Sequence, residues 1–148
     1  MATREALVHQ AEIATRLEGQ ACTQVSVGVH HSLIIDFGEL QPAEGDQLSG
    51  ELILAIDCPW RIDAPDVPVV GWEDADEDIA DLATVLIGAV VTEVEIRRPG
   101  FDLFLQFSND HRLRIFPDCR AYYHDELASG ALPWQIGGRA LTESLRES

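Results

Sequence analysis

His30 and His31 are adjacent, and neutral imidazole is a zinc ligand; His111, His124 or the cysteines Cys22, Cys58 and Cys119 would have to complete a site. Neighbouring residues of a strand point to opposite faces, and no second ligand follows either histidine at i+2 or i+4. A turn carrying two solvated imidazoles is the competing reading, and no metal is expected. Asp74-x-Asp76-x-Asp78 has the spacing with which a calcium loop begins, but the loop's glycine and glutamate positions hold Ile79 and Val85. The three carboxylates read instead as a helix start, favoured by the positive end of the helix dipole. Tyr122-Tyr123-His124-Asp125-Glu126 gathers acid–base groups with no nucleophile beside them. There is no G-x-S-x-G, P-loop or G-x-G-x-x-G. No catalytic residue and no cofactor is assigned.

Charge says more. The chain of 148 residues has a formal net charge of −16, and all its basic side chains except histidine are arginines. Residues 36–81 hold fourteen carboxylates against Arg61 alone, a net of −13, whereas residues 97–120 are net +2. Such acidity repels nucleic acid and anionic membranes and attracts basic proteins. No apolar run approaches the ~18 residues of a membrane span, and the N-terminus lacks a signal peptide's apolar block, so a cytoplasmic location is expected. Three widely spaced cysteines predict reduced, buried thiols rather than a disulfide framework.

These groups are positioned by alternating strands. Val25, Val27, Val29, Leu33, Ile35 and Phe37 recur at period 2 across a tip at His30-His31-Ser32. That predicts a hairpin pairing Val29 with Leu33, Val27 with Ile35 and Val25 with Phe37. Leu52, Leu54 and Ile56 mark a third strand. A second meander follows: Val90–Arg97, Phe101–Ser108 and Arg112–Phe116. Arg98-Pro99-Gly100-Phe101 suits a type II turn, with Ile96 meeting Leu103. An odd-numbered loop with Asn109, Asp110 or His111 in the left-handed region keeps like faces together, setting Phe107 opposite Leu113 and Leu105 opposite Ile115. Leu7, Ala11, Ala14 and Leu17 stripe a first helix capped by Thr3 and stopped at Gly19. Ile79, Leu82, Ala83, Leu86 and Ile87 stripe a second, capped by Asp74 or Asp76, that packs Ile79, Leu82, Leu86 and Ile87 inward and stops at Gly88. Residues 38–50 and 63–72 read as loops, and 139–148 as a tail.

The two meanders repeat. Residues 32–37 (SLIIDF) parallel 102–107 (DLFLQF), Leu54 and Ile56 answer Leu113 and Ile115, and residues 59–62 (PWRI) answer 133–136 (PWQI). The expected fold is α+β: one domain over 1–148 with pseudo-repeated three-stranded antiparallel meanders, about 25–62 and 90–136, and two helices. This ordered set resembles small, mostly actinobacterial two-repeat β-meander proteins, some of which sit beside polymorphic toxins as immunity proteins. The resemblance implies a packing framework and an immunity-like role, with no catalytic residues to carry over.

Opposite the core, the second sheet carries Glu93, Glu95, Arg97, Phe104, Gln106, Arg112, Arg114 and Phe116, with Phe104 facing Phe116. Two phenylalanines on an outer face predict a cover, either the first helix or a second copy in a homodimer. The resulting expectation is a non-enzymatic interaction protein binding a basic protein through Asp74, Asp76, Asp78, Phe104 and Phe116. The alternatives are a small-ligand or metal-binding module using Trp60 and Trp134 with His30 and His31, and an enzyme of unassigned type.

Overall fold

The computed structural model describes residues 3–28, 32–118 and 132–141. Leu7, Ala11, Ala14 and Leu17 are buried, as their helical spacing requires. Helix α1 (Thr3–Ala14) tightens into a 3-10 turn (Thr15–Leu17), and Gly19 follows with φ of 87°. Helix α2 (Asp76–Leu82) continues as a 3-10 turn (Ala83–Leu86) and ends at Gly88 with φ of 91°. Only glycine takes such angles without a Cβ clash. Ile79, Ala83 and Leu86 are buried, but Leu82 and Ile87 are 42% and 47% exposed, against the expected stripe. The α-helix stops at Leu82, and the tighter turn brings Leu86 inward in place of Ile87. Neither Asp74 nor Asp76 caps α2: the N-cap is Ala75, with no side-chain cap bond.

The strands are β1 (Cys22–Val27), β2 (Leu33–Phe37), β3 (Gln41–Pro42), β4 (Leu48–Ser49), β5 (Leu52–Ile56), β6 (Trp60–Asp63), β7 (Pro68–Gly71), β8 (Val91–Arg97), β9 (Asp102–Phe107), β10 (Arg112–Ile115) and β11 (Trp134–Gly137). They form a four-stranded sheet β1-β2-β5-β11, a five-stranded sheet β7-β6-β10-β9-β8, and the small hairpin β3-β4. Both large sheets contribute to one core, and all named strand pairs are antiparallel. The fold is therefore α+β, built on two meanders. Strands β3, β4 and β7 lie in stretches expected to be loops. Strands β3 and β4 are too exposed to show a hydrophobic period, and β7 carries its proline at a sheet edge, where a missing N–H is tolerated.

The expected faces hold, but two registers differ by two residues. Val27 meets Leu33 and Val25 meets Ile35; Leu105 meets Leu113 and Leu103 meets Ile115. A slip of two preserves every face, which is why alternation could not detect it. The second loop is only Ser108-Asn109-Asp110, closed by the Phe107 amide donating to His111 O at 2.9 Å, with Asp110 at φ 66°. Pairing of β8 with β9 is as expected, Ile96 opposite Leu103 and Arg97 opposite Asp102. Its turn is not type II. The Arg98–Pro99 peptide is cis, and Phe101 rather than Gly100 has positive φ, 57°. The Phe101 ring is buried with Leu7 and Ala11 beneath α1.

The Pro-Trp-x-Ile strands are exchanged between the repeats. Strand β6 leaves its own meander to pair with β10, placing Trp60 opposite Ile115 and Ile62 opposite Leu113. Strand β11 pairs with β5, placing Trp134 opposite Ile56 and Ile136 opposite Leu54. With Ile56 answering Ile115 and Leu54 answering Leu113, the two contacts are one contact made twice. The Trp134 indole N–H donates to Phe101 O at 3.0 Å in the interior, tying the last strand to the turn under α1.

Leu105→Ala should cost about 2–5 kcal/mol, from lost burial and a residual cavity. Trp134→Phe should cost about 1–3 kcal/mol, because it leaves the buried Phe101 carbonyl unpaired. Denaturant melts of both variants test the assignment, and a loss under about 0.5 kcal/mol for Leu105→Ala would contradict its inward position.

Candidate functional site

Alternation along five adjacent strands puts two rungs on the outer face of the five-stranded sheet. One runs Glu95, Phe104, Arg114, Arg61, Gly71; the next runs Glu93, Gln106, Arg112, Asp63, Pro68. Their sequence neighbours Leu105, Leu113, Ile62 and Val70 fill the core behind them. The face therefore follows from the same period that builds the interior.

Phe104 is only 7% exposed, although it points away from the core. Helix α1 does not cover it; that helix packs on Phe101 and Ile96. Phe104 is covered instead by side chains of its own face. The Arg97 guanidinium lies 4.7 Å from its ring centroid, Arg114 lies 5.8 Å away, and Phe116 meets it edge-on at 6.1 Å. Phe104 sits directly opposite Arg114, so Phe116 approaches diagonally. Arg61 lies 5.8 Å from the Phe116 ring. Each such contact contributes on the order of 0.5–2 kcal/mol and holds a guanidinium close to the ring.

Asp63 organises the arginines. Its carboxylate accepts from Arg61 Nε at 2.7 Å and from Arg114 Nε at 2.8 Å. Burial pushes the Asp63 carboxyl up, but the bonds and charges of Arg61 and Arg114 outweigh it and hold the group below its usual value. Arg112 Nε donates to Gln106 Oε1 at 2.9 Å, and Arg97 Nε to Glu95 at 3.0 Å. A depression of about 430 Å³ opens between these groups, lined by Asp63, Pro65, Gln106, Asp110, Arg112 and Arg114. A second, of about 350 Å³, runs from Arg61 past β7 to Glu73 and Asp74. Asp74 accepts the Gly71 amide at 2.7 Å, so the acidic entrance of α2 is fastened to this sheet's edge.

The structure thus unites Phe104 with Phe116 and places Asp74 at the β7 edge of the same sheet, three strands from β9. Asp76 and Asp78 lie in the first turn of α2, exposed, and not in a calcium loop. Trp60 and Trp134 are core residues rather than pocket walls. His30, His31, Cys119 and the Tyr122–Glu126 cluster lie outside the described residues. Among the described residues no three His, Cys, Asp or Glu groups converge as a metal site, and no helix is long and apolar enough to cross a membrane. Cys22 and Cys58 are buried free thiols. Burial pushes Cys22 up to about 12, and burial with the nearby Asp118, Asp57 and Asp102 carboxylates pushes Cys58 up, so neither is a thiolate at neutral pH. Sequence reasoning missed Arg61 and Asp63 as members of the face. Their alternation with Trp60 and Ile62 was the available signal.

Asp63 has a folded pKa below its unfolded value, so its contribution is fully present above pH ~4 and is lost as pH falls through the lower, folded value. The stability gap between wild type and Asp63→Asn should be level near neutrality and close in acid. A gap that persists unchanged in melts down to the acid limit would remove the arginine clamp from the account. Cys22 and Cys58 should resist alkylation in the native protein at pH 7.5 and react on unfolding, as read by peptide mass mapping.

No protein-family model, curated protein or solved structure matches the chain.

Proposed function

We propose that this chain is a non-enzymatic interaction protein, immunity-like in role, that docks a basic protein on the outer face of the five-stranded sheet. One observation carries the reading: the corresponding faces of the two repeats differ in kind. At matching register the four-stranded sheet presents Ser26, Ile34, Ala55 and Gln135, then Gln24, Asp36, Ile53 and Gly137. The five-stranded sheet has Glu95, Phe104, Arg114 and Arg61, then Glu93, Gln106, Arg112 and Asp63. Core positions answer one another in both repeats, so packing alone does not call for the difference. Arginine and aromatic residues are the types that dominate interface energetics.

Charge favours a basic partner. Asp63 and Glu95 already engage Arg61, Arg114 and Arg97; Glu93, Asp110 and Asp74 are exposed beside the face, and Asp76 and Asp78 follow Asp74 in the exposed first turn of α2. An acidic rim steers a cationic protein and disfavours nucleic acid. The stacked arginines and Phe104 then supply a rigid centre.

With a partner captured from the source cell, Arg112→Ala and Arg114→Ala should each weaken binding by about 30-fold, the loss typical of a central contact. Replacing Asp74, Asp76 and Asp78 by Asn should slow association and reduce its dependence on salt, since screening acts over ~8–10 Å. Ile53→Ala, on the other sheet's outer face, should bind like wild type. Equal binding by all these variants would sink the proposal.

A further inference from the structure

We infer that the chain is a single-chain dimer: two copies of one helix-and-four-strand unit, each recognising the Pro-Trp-x-Ile strand of the other. This is independent of the docking role proposed above. The repeat extends further than the meanders. At an offset of 69 residues Ala14, Thr15, Leu17, Gly19, Thr23 and Val25 return as Ala83, Thr84, Leu86, Gly88, Thr92 and Val94. Helix α1 therefore opens the first unit and α2 the second, so α2 is not a connector between meanders.

Structural detail repeats with the sequence. Thr15 Oγ1 donates to Glu12 O, and Thr84 Oγ1 to Asp81 O. The register of β1 on β2 breaks between Cys22 and Gln24, and that of β8 on β9 between Val91 and Glu93. At each break the intervening threonine donates across the ladder, Thr23 to Asp36 O at 3.3 Å and Thr92 to Gln106 O at 3.2 Å. Alternating strands are common, but a matched bulge with a matched hydroxyl bond is not dictated by alternation.

The seam between units has the signature of a two-fold axis. Ala21 bridges Val90, its own counterpart, in antiparallel sense. On either side the bonds are reciprocal. Gly19 N donates to Val91 O and Gly88 N to Cys22 O, both at 2.8 Å; Cys22 N donates to Ala89 O and Val91 N to Gln20 O, both at 2.9 Å. An isologous contact pairs residue i with j and j with i, which these bonds do across the two halves of one chain. The exchange of β6 and β11 completes the pattern. Each meander takes as its fourth strand not the one its own chain supplies next but the equivalent strand of the other unit. The units differ where insertion is tolerated: the β3-β4 hairpin occupies the place of the Ser108-Asn109-Asp110 loop, and β7 lies in the connection between units.

The test keeps the whole chain. A protease site placed in the exposed Pro65-Asp66-Val67 turn is cut after folding. The halves should remain a 1:1 complex by native mass spectrometry, with a melting midpoint that becomes concentration-dependent. Separated in denaturant, neither half should refold as a monomer, and mixing should restore the complex. A half that folds alone as a stable monomer would overturn the inference, since it must have closed its fourth strand on its own third. The uncut chain gives a second readout. Ile35→Ala and its counterpart Leu105→Ala should each lower one shared unfolding transition, seen by both tryptophan fluorescence and far-UV dichroism. Two separable transitions, each moved by only one variant, would equally overturn it.

Discussion

The structure depends on closing the open edge of a meander's third strand. A strand with one free side leaves a row of amides and carbonyls unpaired, and beside a core that row is both costly and adhesive. Strands β5 and β10 each have such an edge, and each is closed by a strand from the other half of the chain. The same act fills the core, because Trp134 and Ile136 on one strand, and Trp60 and Ile62 on the other, arrive with the hydrogen bonds. Secondary structure and packing are thus satisfied together.

Much of this was legible in the sequence. Period-2 alternation identified the inward residues of β2, β5, β9 and β10, and helical spacing identified the buried side of α1. Alternation fixes which face a residue takes but not its partner, so both hairpin registers differ by two residues from the pairing expected. It cannot see β3 and β4, which are held by backbone bonds and by polar ties instead. The 3%-exposed Asp36 accepts the Gly50 amide at 2.8 Å, Gln24 reaches Leu48 O, and Arg139 donates to Ser49 O and Glu39 O. The exchange of β6 and β11 was illegible for a related reason. A Pro-Trp-x-Ile strand follows each third strand in the sequence, and its residue types do not tell which of the two third strands it joins.

The candidate face was half legible. The pairing of Phe104 with Phe116 signalled an unusual outer surface, but the first helix, one of the two covers expected, packs on Phe101 instead. Arginine stems and guanidinium planes can cover an aromatic ring without adding a layer, and here they do. Asp63 makes that arrangement stable by meeting Arg61 and Arg114 at once. A carboxylate shared by two cations costs less to half-bury than one left alone, and it holds both guanidinium groups near the rings. The corresponding rungs of the four-stranded sheet lack these groups, and Asp36 is their one charged residue.

The exchange of fourth strands also sets the order in which the molecule can be made. Strand β5 is synthesised long before β11, since residues 52–56 must wait for residues 134–137. At a translation rate of roughly 5–20 residues per second, the first sheet spends several seconds with its third strand unsealed. Pairings this distant in sequence also slow folding after release. On an emerging polypeptide the vulnerable interval is therefore written into the topology, and it ends only when the C-terminal strand arrives.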